Sequence, residues 1–180
     1  NGVLDTNAVV AAPPIVNDDS ILIGFGRGLG NAFTGKLDDI RVWNRALSGA
    51  EISKYYRTSL GLNSGIYNGL VLSLTFQKQE STGTVFSAND YSEAGNNGFI
   101  RNVTAADLSS NLYKTVTFNE SAEFDGTNDY LSAPSNTAIQ PVPEITMEAW
   151  IYPRSNSNSI IIHKGSDDGG VTNFRLAIQN

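Results

Sequence analysis

The chain contains no cysteine and only one histidine among its 180 residues, and these absences exclude several kinds of site. Without thiols it has no disulfide scaffold, no cysteine-based zinc site and no thiol nucleophile. A Ser-His-Asp triad or a histidine-centred metal site would depend on His163 alone. Because His163 ends the apolar run IIIH, we interpret it as a half-buried structural residue.

Charge is also scarce, because only 17% of the residues are charged and the formal net charge is −6. Phosphate binding needs a basic stripe, and the sequence contains none, so we expect no nucleic acid partner. No apolar run approaches the ~20 residues that a membrane-spanning helix requires, so we expect no membrane insertion.

Short apolar runs separated by Gly, Ser, Asn and Thr make up most of the chain and predict an all-β fold. The run at residues 33–43 has apolar side chains on both faces of a strand. Alternation predicts Ile40 and Val42 on one face. It predicts Leu37 and Trp43 on the other face, so the strand should be buried in part on both sides.

The one clear helical signal lies near residues 48–56. Ser48 precedes Glu51 by three residues, which is the spacing of a capping box at a helix N-terminus. Leu47, Ile52 and Tyr55 are spaced so that they could share one face of this short helix.

Several runs of sequence fall into two groups that each match one part of a known domain. The runs AEFDGTNDYLSAP, ITMEAWIYP, IIIHKG and NFRLAI occur in the order of its first part. The runs NGVLDT, ILIG and FTGKLDDIRVWNRALSGAEI are similar to its last part. Both groups resemble laminin G-like domains of the concanavalin A-like lectin/glucanase superfamily. The resemblance implies an all-β jelly-roll sandwich of two antiparallel sheets.

The two groups occur in reversed order along the chain. Residues 1–58 resemble the C-terminal part of one repeat, residues 59–68 form a linker, and residues 69–180 resemble the N-terminal part of a second repeat. The segment that would complete a domain holds two strands and their loops, roughly 20–35 residues. Neither part alone should bury a sandwich core. Three arrangements are open. The two parts could dock with each other as a permuted sandwich, or each part could complete a neighbouring chain in a fibre or swapped dimer. In the third arrangement, the sequence is a segment cut from a longer array of repeats.

Five aspartates are candidate ligands of a structural calcium ion: Asp38, Asp39, Asp90, Asp125 and Asp129. Calcium prefers carboxylate and carbonyl oxygens, and many sandwiches of the superfamily hold a structural calcium, so the resemblance implies such a site. Each group has an alternative role. The pair at 38–39 could bond Arg41 or the backbone, and the others could close turns and loops. The spacing is not that of an EF-hand loop.

Catalysis is not expected, although the superfamily includes glycosidases. Those enzymes place two or three carboxylates on one strand, so that acid and nucleophile share a face. The strand ITMEAWIYP offers one glutamate, Glu148. A hydrolase or lyase would need further acids on the strand that faces Glu148.

Four aromatic residues are candidates for stacking on sugar rings: Trp43, Trp150, Tyr130 and Tyr152. One good contact of this kind contributes ~1 kcal/mol. The alternative is packing in the core, which we favour for the two tryptophans.

The sequence as a whole predicts a non-catalytic binding or adhesion module that recognises glycans or protein partners. The alternative is a structural repeat of a surface fibre or adhesin stalk, in which neighbouring copies complete one another by adding strands. The absence of cysteine and the resemblance favour a secreted or cell-surface protein, and we expect a bacterial source.

Overall fold

The structure is a computed structural model that describes residues 19–26, 31–55, 67–75, 87–101, 121–135, 137–140, 143–155, 157–165 and 172–179. The strands in these ranges are β1 (Ile21–Ile23), β2 (Thr34–Trp43), β3 (Leu70–Leu74), β4 (Ser87–Ala88), β5 (Gly98–Arg101), β6 (Ala122–Asp125), β7 (Tyr130–Ala133), β8 (Thr146–Pro153), β9 (Ser159–Gly165) and β10 (Thr172–Ile178). Helix α1 spans Gly49–Tyr55, as predicted, and a one-turn 3₁₀ helix spans Thr137–Ile139.

The strands form two antiparallel sheets. One sheet has six strands in the order β10-β9-β1-β7-β5-β4. In the other sheet, β2 pairs with β6 and β3 along one edge and with β8 along the other. The predicted all-β jelly-roll sandwich with one short helix is confirmed.

The core lies between the sheets and takes one apolar face from each of them. Its fully buried members include Ile21, Ile23, Leu37, Ile40, Val42, Leu72, Leu74, Phe124, Leu131 and Ile162. Burying one such side chain contributes about 1.5–3 kcal/mol, so this cluster supplies the main driving force for folding.

Strands β1 and β2 occupy interior positions in the two sheets, although they come from the first third of the chain. β1 lies between β7 and β9 in the six-stranded sheet. β2 is the strand on which β3, β6 and β8 all pair. The segments at 1–58 and 69–180 therefore share both sheets within one chain. The assignment to two repeats stays a prediction, and most of the predicted linker at 59–68 lies outside the described residues.

A β-bulge in β2 corrects one prediction about its faces. The register against β8 shifts between Asp38 and Arg41, and Asp39 has a φ of 45°. An extra residue at this point reverses the alternation of the side chains that precede it. Leu37 consequently lies in the core with Ile40, not on the opposite face as simple alternation predicted.

The capping box of α1 is confirmed. The backbone N–H of Ser48 donates to Oε2 of Glu51 at 2.8 Å, and the N–H of Glu51 donates to the Ser48 hydroxyl at 3.3 Å. Leu47 and Tyr55 are buried, whereas Ile52 is exposed, so the prediction that the three share one face is wrong for Ile52. The seven-residue helix reaches the sheet with its C-terminal end. Within the described ranges, no helix combines the length and apolar character that a membrane crossing requires.

Candidate functional site

The four-stranded sheet has an outer face that points away from the core, and the paired strands β2 and β8 make up much of it. Residues that lie opposite each other on paired strands point to the same face. The outward pairs are Lys36–Tyr152, Asp38–Trp150, Arg41–Glu148 and Trp43–Thr146. Both tryptophans of the protein therefore lie on one face of one sheet.

One end of this outer face is covered. Trp43 is fully buried and stacks on Tyr55 of α1, with ring centroids 6.2 Å apart and planes at 10°. Leu47 and Leu70 complete this second apolar cluster. The Thr146 hydroxyl accepts a hydrogen bond from the Leu47 N–H at 3.0 Å, which ties the chain before the helix to β8. The predicted structural role of Trp43 is confirmed.

The middle of the outer face holds a buried arginine and two carboxylates. Nη1 of Arg41 lies 2.5 Å from Oε1 of Glu148, and its Nη2 lies 3.4 Å from Oδ1 of Asp39. Nη1 also donates to the carbonyl of Tyr55 at 3.4 Å. Burial raises the pKa of Glu148 and of Asp39, against the opposing effect of the Arg41 charge.

The pairing of β2 with β8 thus brings Asp39 toward Glu148, an acid that the sequence of β8 alone does not contain. Both carboxylates, however, contact the same arginine, Arg41. Arg41 is 1% exposed, and a guanidinium that is buried to this extent needs its counter-charges. We therefore assign Glu148 and Asp39 to the support of the sheet.

The other end of the outer face is open. Trp150 is 56% exposed and Tyr152 is 66% exposed. The interpretation of Trp150 as a core residue is wrong, because β8 lies at the edge of the sheet among the described strands and no described element covers its outer side. The two rings border an open groove of about 540 Å³, lined by Lys36, Leu37, Asp38, Ser121, Trp150, Ile151, Tyr152 and Arg154.

Polar groups surround the two aromatic rings in this groove. Lys36 lies between Glu123 of β6 and Tyr152 of β8 in the cross-strand row. Arg154 forms an ion pair with Glu123. Oδ1 of Asp38 accepts a hydrogen bond from the Asp39 N–H at 2.7 Å. The groove thus combines apolar ring faces with charged hydrogen-bonding groups.

The other two candidates for ring stacking or catalysis lie elsewhere. Tyr130 stacks on Phe25, with centroids 5.6 Å apart, and belongs to the six-stranded sheet. His163 is fully buried in β9, opposite Leu22 and Arg175. Neither residue lies on the outer face of the four-stranded sheet. A structural role for His163 agrees with its burial, which is complete and not partial as predicted.

Asp90 organises the loop between β4 and β5. Its Oδ1 accepts hydrogen bonds from the N–H groups of Ser73 and Ser92 at 2.8 and 2.9 Å. Its Oδ2 accepts from the Ser92 hydroxyl at 2.6 Å and from the Asn96 N–H at 2.7 Å. Four donors surround this carboxylate, so in this structure its oxygens hold the loop together through hydrogen bonds.

Asp125 and Asp129 shape the turn between β6 and β7. Oδ1 of Asp125 accepts from the Thr127 N–H at 2.7 Å, which is the hydrogen bond of an Asx turn. Oδ2 of Asp129 accepts from the Asp125 N–H at 3.2 Å. Gly126 has a φ of 84°, which glycine adopts without steric cost and which lets the chain bend sharply here.

The five candidate aspartates therefore lie in three separate places and not at one site. Across the described ranges, no three His, Cys, Asp or Glu side chains form a group suited to a metal ion. Calcium binding stays a prediction. It is tested by the shift in thermal unfolding temperature on addition of calcium and then of a chelator.

Sequence reasoning missed Lys36 and Arg154, and it did not bring Trp150 and Tyr152 together as a pair. One signal was available. Glu148, Trp150 and Tyr152 alternate along β8, so the polar Glu148 already indicated that both rings share the outward face.

Comparisons with known proteins support the resemblance over part of the chain. A laminin G family model, described as the concanavalin A-like lectin/glucanases superfamily, matches residues 1–53. This span contains β1, β2 and the start of α1. No curated protein and no solved structure matches the chain. The match supports a carbohydrate- or protein-binding module in general.

Proposed function

We propose that the protein is a non-catalytic binding module that holds glycan chains in the groove beside Trp150 and Tyr152. The observation that carries this proposal is the exposure of two large aromatic side chains on one face of a strand, next to charged groups. Large apolar rings in contact with water gain free energy when a ligand covers them. A sugar ring suits this surface because its C–H side is apolar and its hydroxyl groups are polar.

The spacing of the two rings fits an extended ligand. Trp150 and Tyr152 are two residues apart on one strand face, or about 7 Å. Successive sugar residues of a chain can therefore each contact one ring. An aromatic contact of this kind contributes about 0.5–1.5 kcal/mol. Lys36 and Asp38 lie directly opposite the two rings and supply a donor and an acceptor for sugar hydroxyls.

The proposed setting is outside the cell. The superfamily match and the open aromatic groove support an adhesion or glycan-recognition role in a secreted or cell-surface protein. We place that protein in a bacterium. The net charge of −6 is unfavourable for a nucleic acid partner, so the proposed ligands are glycans or surface proteins.

An oligosaccharide array followed by isothermal titration tests the glycan proposal. We expect binding of at least one oligosaccharide, weakened about two- to twelvefold by Trp150→Ala and less strongly by Tyr152→Ala. Tyr91→Ala is the matched control, because Tyr91 is an exposed aromatic outside the groove. If no oligosaccharide binds, or if binding survives Trp150→Ala unchanged, the proposal is wrong.

A second candidate function is assembly into a fibre or stalk from neighbouring copies of the chain. The observation that favours it is the open edge of β8, which no strand in the described ranges covers. An uncovered edge can accept a strand from another chain.

A further inference from the structure

We propose that β8 pairs antiparallel with β8 of a second copy of this chain, with Ile151 on the two-fold axis. The pairing would join the two four-stranded sheets into one continuous sheet. It would also bring Trp150 and Tyr152 of both copies together on the same side. The dimer does not require that the groove bind glycan, so its test is independent of the proposed function.

Among the described residues no strand pairs with the outer edge of β8, and the backbone groups of Ile151 point to that edge. The N–H of Arg154 donates to the carbonyl of Thr34 on β2 at 2.9 Å. In an antiparallel ladder, successive residues point their N–H and C=O groups to alternate edges. The groups of Trp150 and Tyr152 therefore point toward β2, whereas those of Ile151 point toward the open edge. With Ile151 on a two-fold axis, each copy donates one hydrogen bond to the other and accepts one.

The side chains on the outer face are self-complementary in this register. Trp150 lies opposite Tyr152 of the second copy, and Glu148 lies opposite Arg154 of the second copy. The aromatic relation occurs twice by symmetry and gives two aromatic pairs between the copies. Glu148 and Arg154 are already ion-paired within each copy, with Arg41 and Glu123, so the aromatic pairs carry the complementarity.

Other registers lack this complementarity. With the axis at Ala149, Trp150 would lie opposite Glu148 and Tyr152 opposite Thr146, so both aromatic pairs are lost. With the axis at Pro153, the central position has no N–H to donate. Of these three axes, the one at Ile151 combines a reciprocal hydrogen-bonded pair with matched aromatic side chains.

The edge of β8 also lacks the features that usually prevent such pairing. Proteins protect edge strands with lysine, proline, bulges or short length. β8 has eight residues, contains no lysine and has its only proline at its last position. Its one acid, Glu148, is already neutralised by Arg41. The exposed apolar residues Trp150, Ile151 and Tyr152 lie in the part that would pair.

Sedimentation equilibrium over a concentration series is the first test. We expect a monomer–dimer equilibrium that Ile151→Pro weakens at least tenfold. Proline removes the N–H that points away from β2, so the bonds within the sheet remain. Tyr91→Ala is the control and should leave dimerisation unchanged. A circular dichroism melt of each variant shows whether it is folded. If Ile151→Pro does not fold, Trp150→Ala replaces it, because it removes both aromatic pairs between the copies while its own ring is largely in water.

Disulfide trapping tests the register. The chain has no cysteine, so an introduced thiol can pair only with its copy. At the axis the Cα atoms would be about 5.5 Å apart, within disulfide range. Two copies of residue 149 would be separated by about 14 Å along the strands, which is out of range. We expect Ile151→Cys to form a covalent dimer under mild oxidation and Ala149→Cys to stay monomeric.

Three results would overturn the proposal. The first is a monomer at every concentration, which leaves the edge to another protein. The second is assemblies larger than a dimer, which indicate an open fibre. The third is trapping at Ala149 that equals or exceeds trapping at Ile151, which indicates a different register.

Discussion

The two tryptophans of this protein occupy the same face of the same sheet, yet one is fully buried and the other is more than half exposed. Trp43 on β2 lies opposite Thr146 on β8, and Trp150 lies four residues farther along β8. Helix α1 places Tyr55 over Trp43. No described element covers Trp150. Two positions on one face therefore have different roles, because the burial of each side chain depends on what packs against it.

Arg41 separates these two ends of the outer face. Its guanidinium binds Glu148 of β8 and the carbonyl of Tyr55 at the end of α1. The arginine therefore lies at the border of the covered area, where both the helix and β8 supply acceptors. Beyond this border no described element covers the face.

Alanine substitution should separate the two ends most strongly. Trp43→Ala removes a fully buried ring and leaves a cavity, so it should lower the free energy of unfolding by about 3–5 kcal/mol. Trp150→Ala should cost less than about 1 kcal/mol because the ring is largely in water. Urea unfolding followed by circular dichroism measures both. Equal losses for the two variants would contradict the comparison.

Glycine substitution should give a smaller difference of the same kind. A Cβ at Gly35 would lie 2.2 Å from the carbonyl oxygen of Tyr152, at a φ of +141°. Gly35→Ala should therefore push β8 away from β2 at the open end and lower the free energy of unfolding by about 2–3 kcal/mol.

The matched glycine control lies in α1. A Cβ at Gly49 meets nothing within 4 Å. Gly49→Ala should leave stability unchanged or raise it by up to about 1 kcal/mol, since alanine is the better helix former. Thermal unfolding of both variants checks this pair, and a loss for Gly49→Ala as large as that for Gly35→Ala would count against it.

The contribution of Glu148 to stability should decrease as the pH rises. Burial raises its pKa above the ordinary value of 4.5 more than the Arg41 charge lowers it. A raised pKa gives stability that is present below pH 4.5 and is lost as the pH rises through the folded-state value. The unfolding free energy of the wild type relative to Glu148→Gln should therefore fall as the pH increases above 4.5. Urea titrations at a series of pH values measure this trend.

Glu51, at the exposed end of α1, should show the opposite sign and the smallest effect. Its hydrogen bond to Arg45, followed by its bonds to Ser48, lowers its pKa from 4.5 to about 2. The resulting stability is present above pH 4.5 and is lost as the pH falls toward 2. The advantage of the wild type over Glu51→Gln should shrink on acidification in the same titrations. A constant difference between pH 5 and pH 2.5 would show that the capping box does not depend on the charge.

Much of the local structure could be predicted from the sequence. Alternation and turn residues identified the main strands, and Ser48 and Glu51 fixed the start of α1. These features depend on residues close together in the chain, so local patterns suffice to find them. The prediction for Leu37 failed because a bulge changes the alternation, and a bulge leaves no clear mark in the composition of a strand.

The candidate site was less accessible to sequence reasoning. Lys36 and Tyr152 are far apart in the chain and meet only because β2 pairs with β8 in one register. The exposure of Trp150 depends on the end of the sheet that α1 covers. Neither fact is encoded within a short window of residues.

The sequence by itself determined the all-β class, the short capped helix, the absence of thiol chemistry and the order of the superfamily motifs. These follow from composition and from hydrogen-bonding patterns between near neighbours. Only the tertiary structure decided that β1 lies inside one sheet and β2 inside the other. It also decided that Arg41 binds Glu148, and that Trp43 is covered while Trp150 is exposed. Those outcomes depend on which distant strands share a register, because packing between distant residues determines which side chains are removed from water.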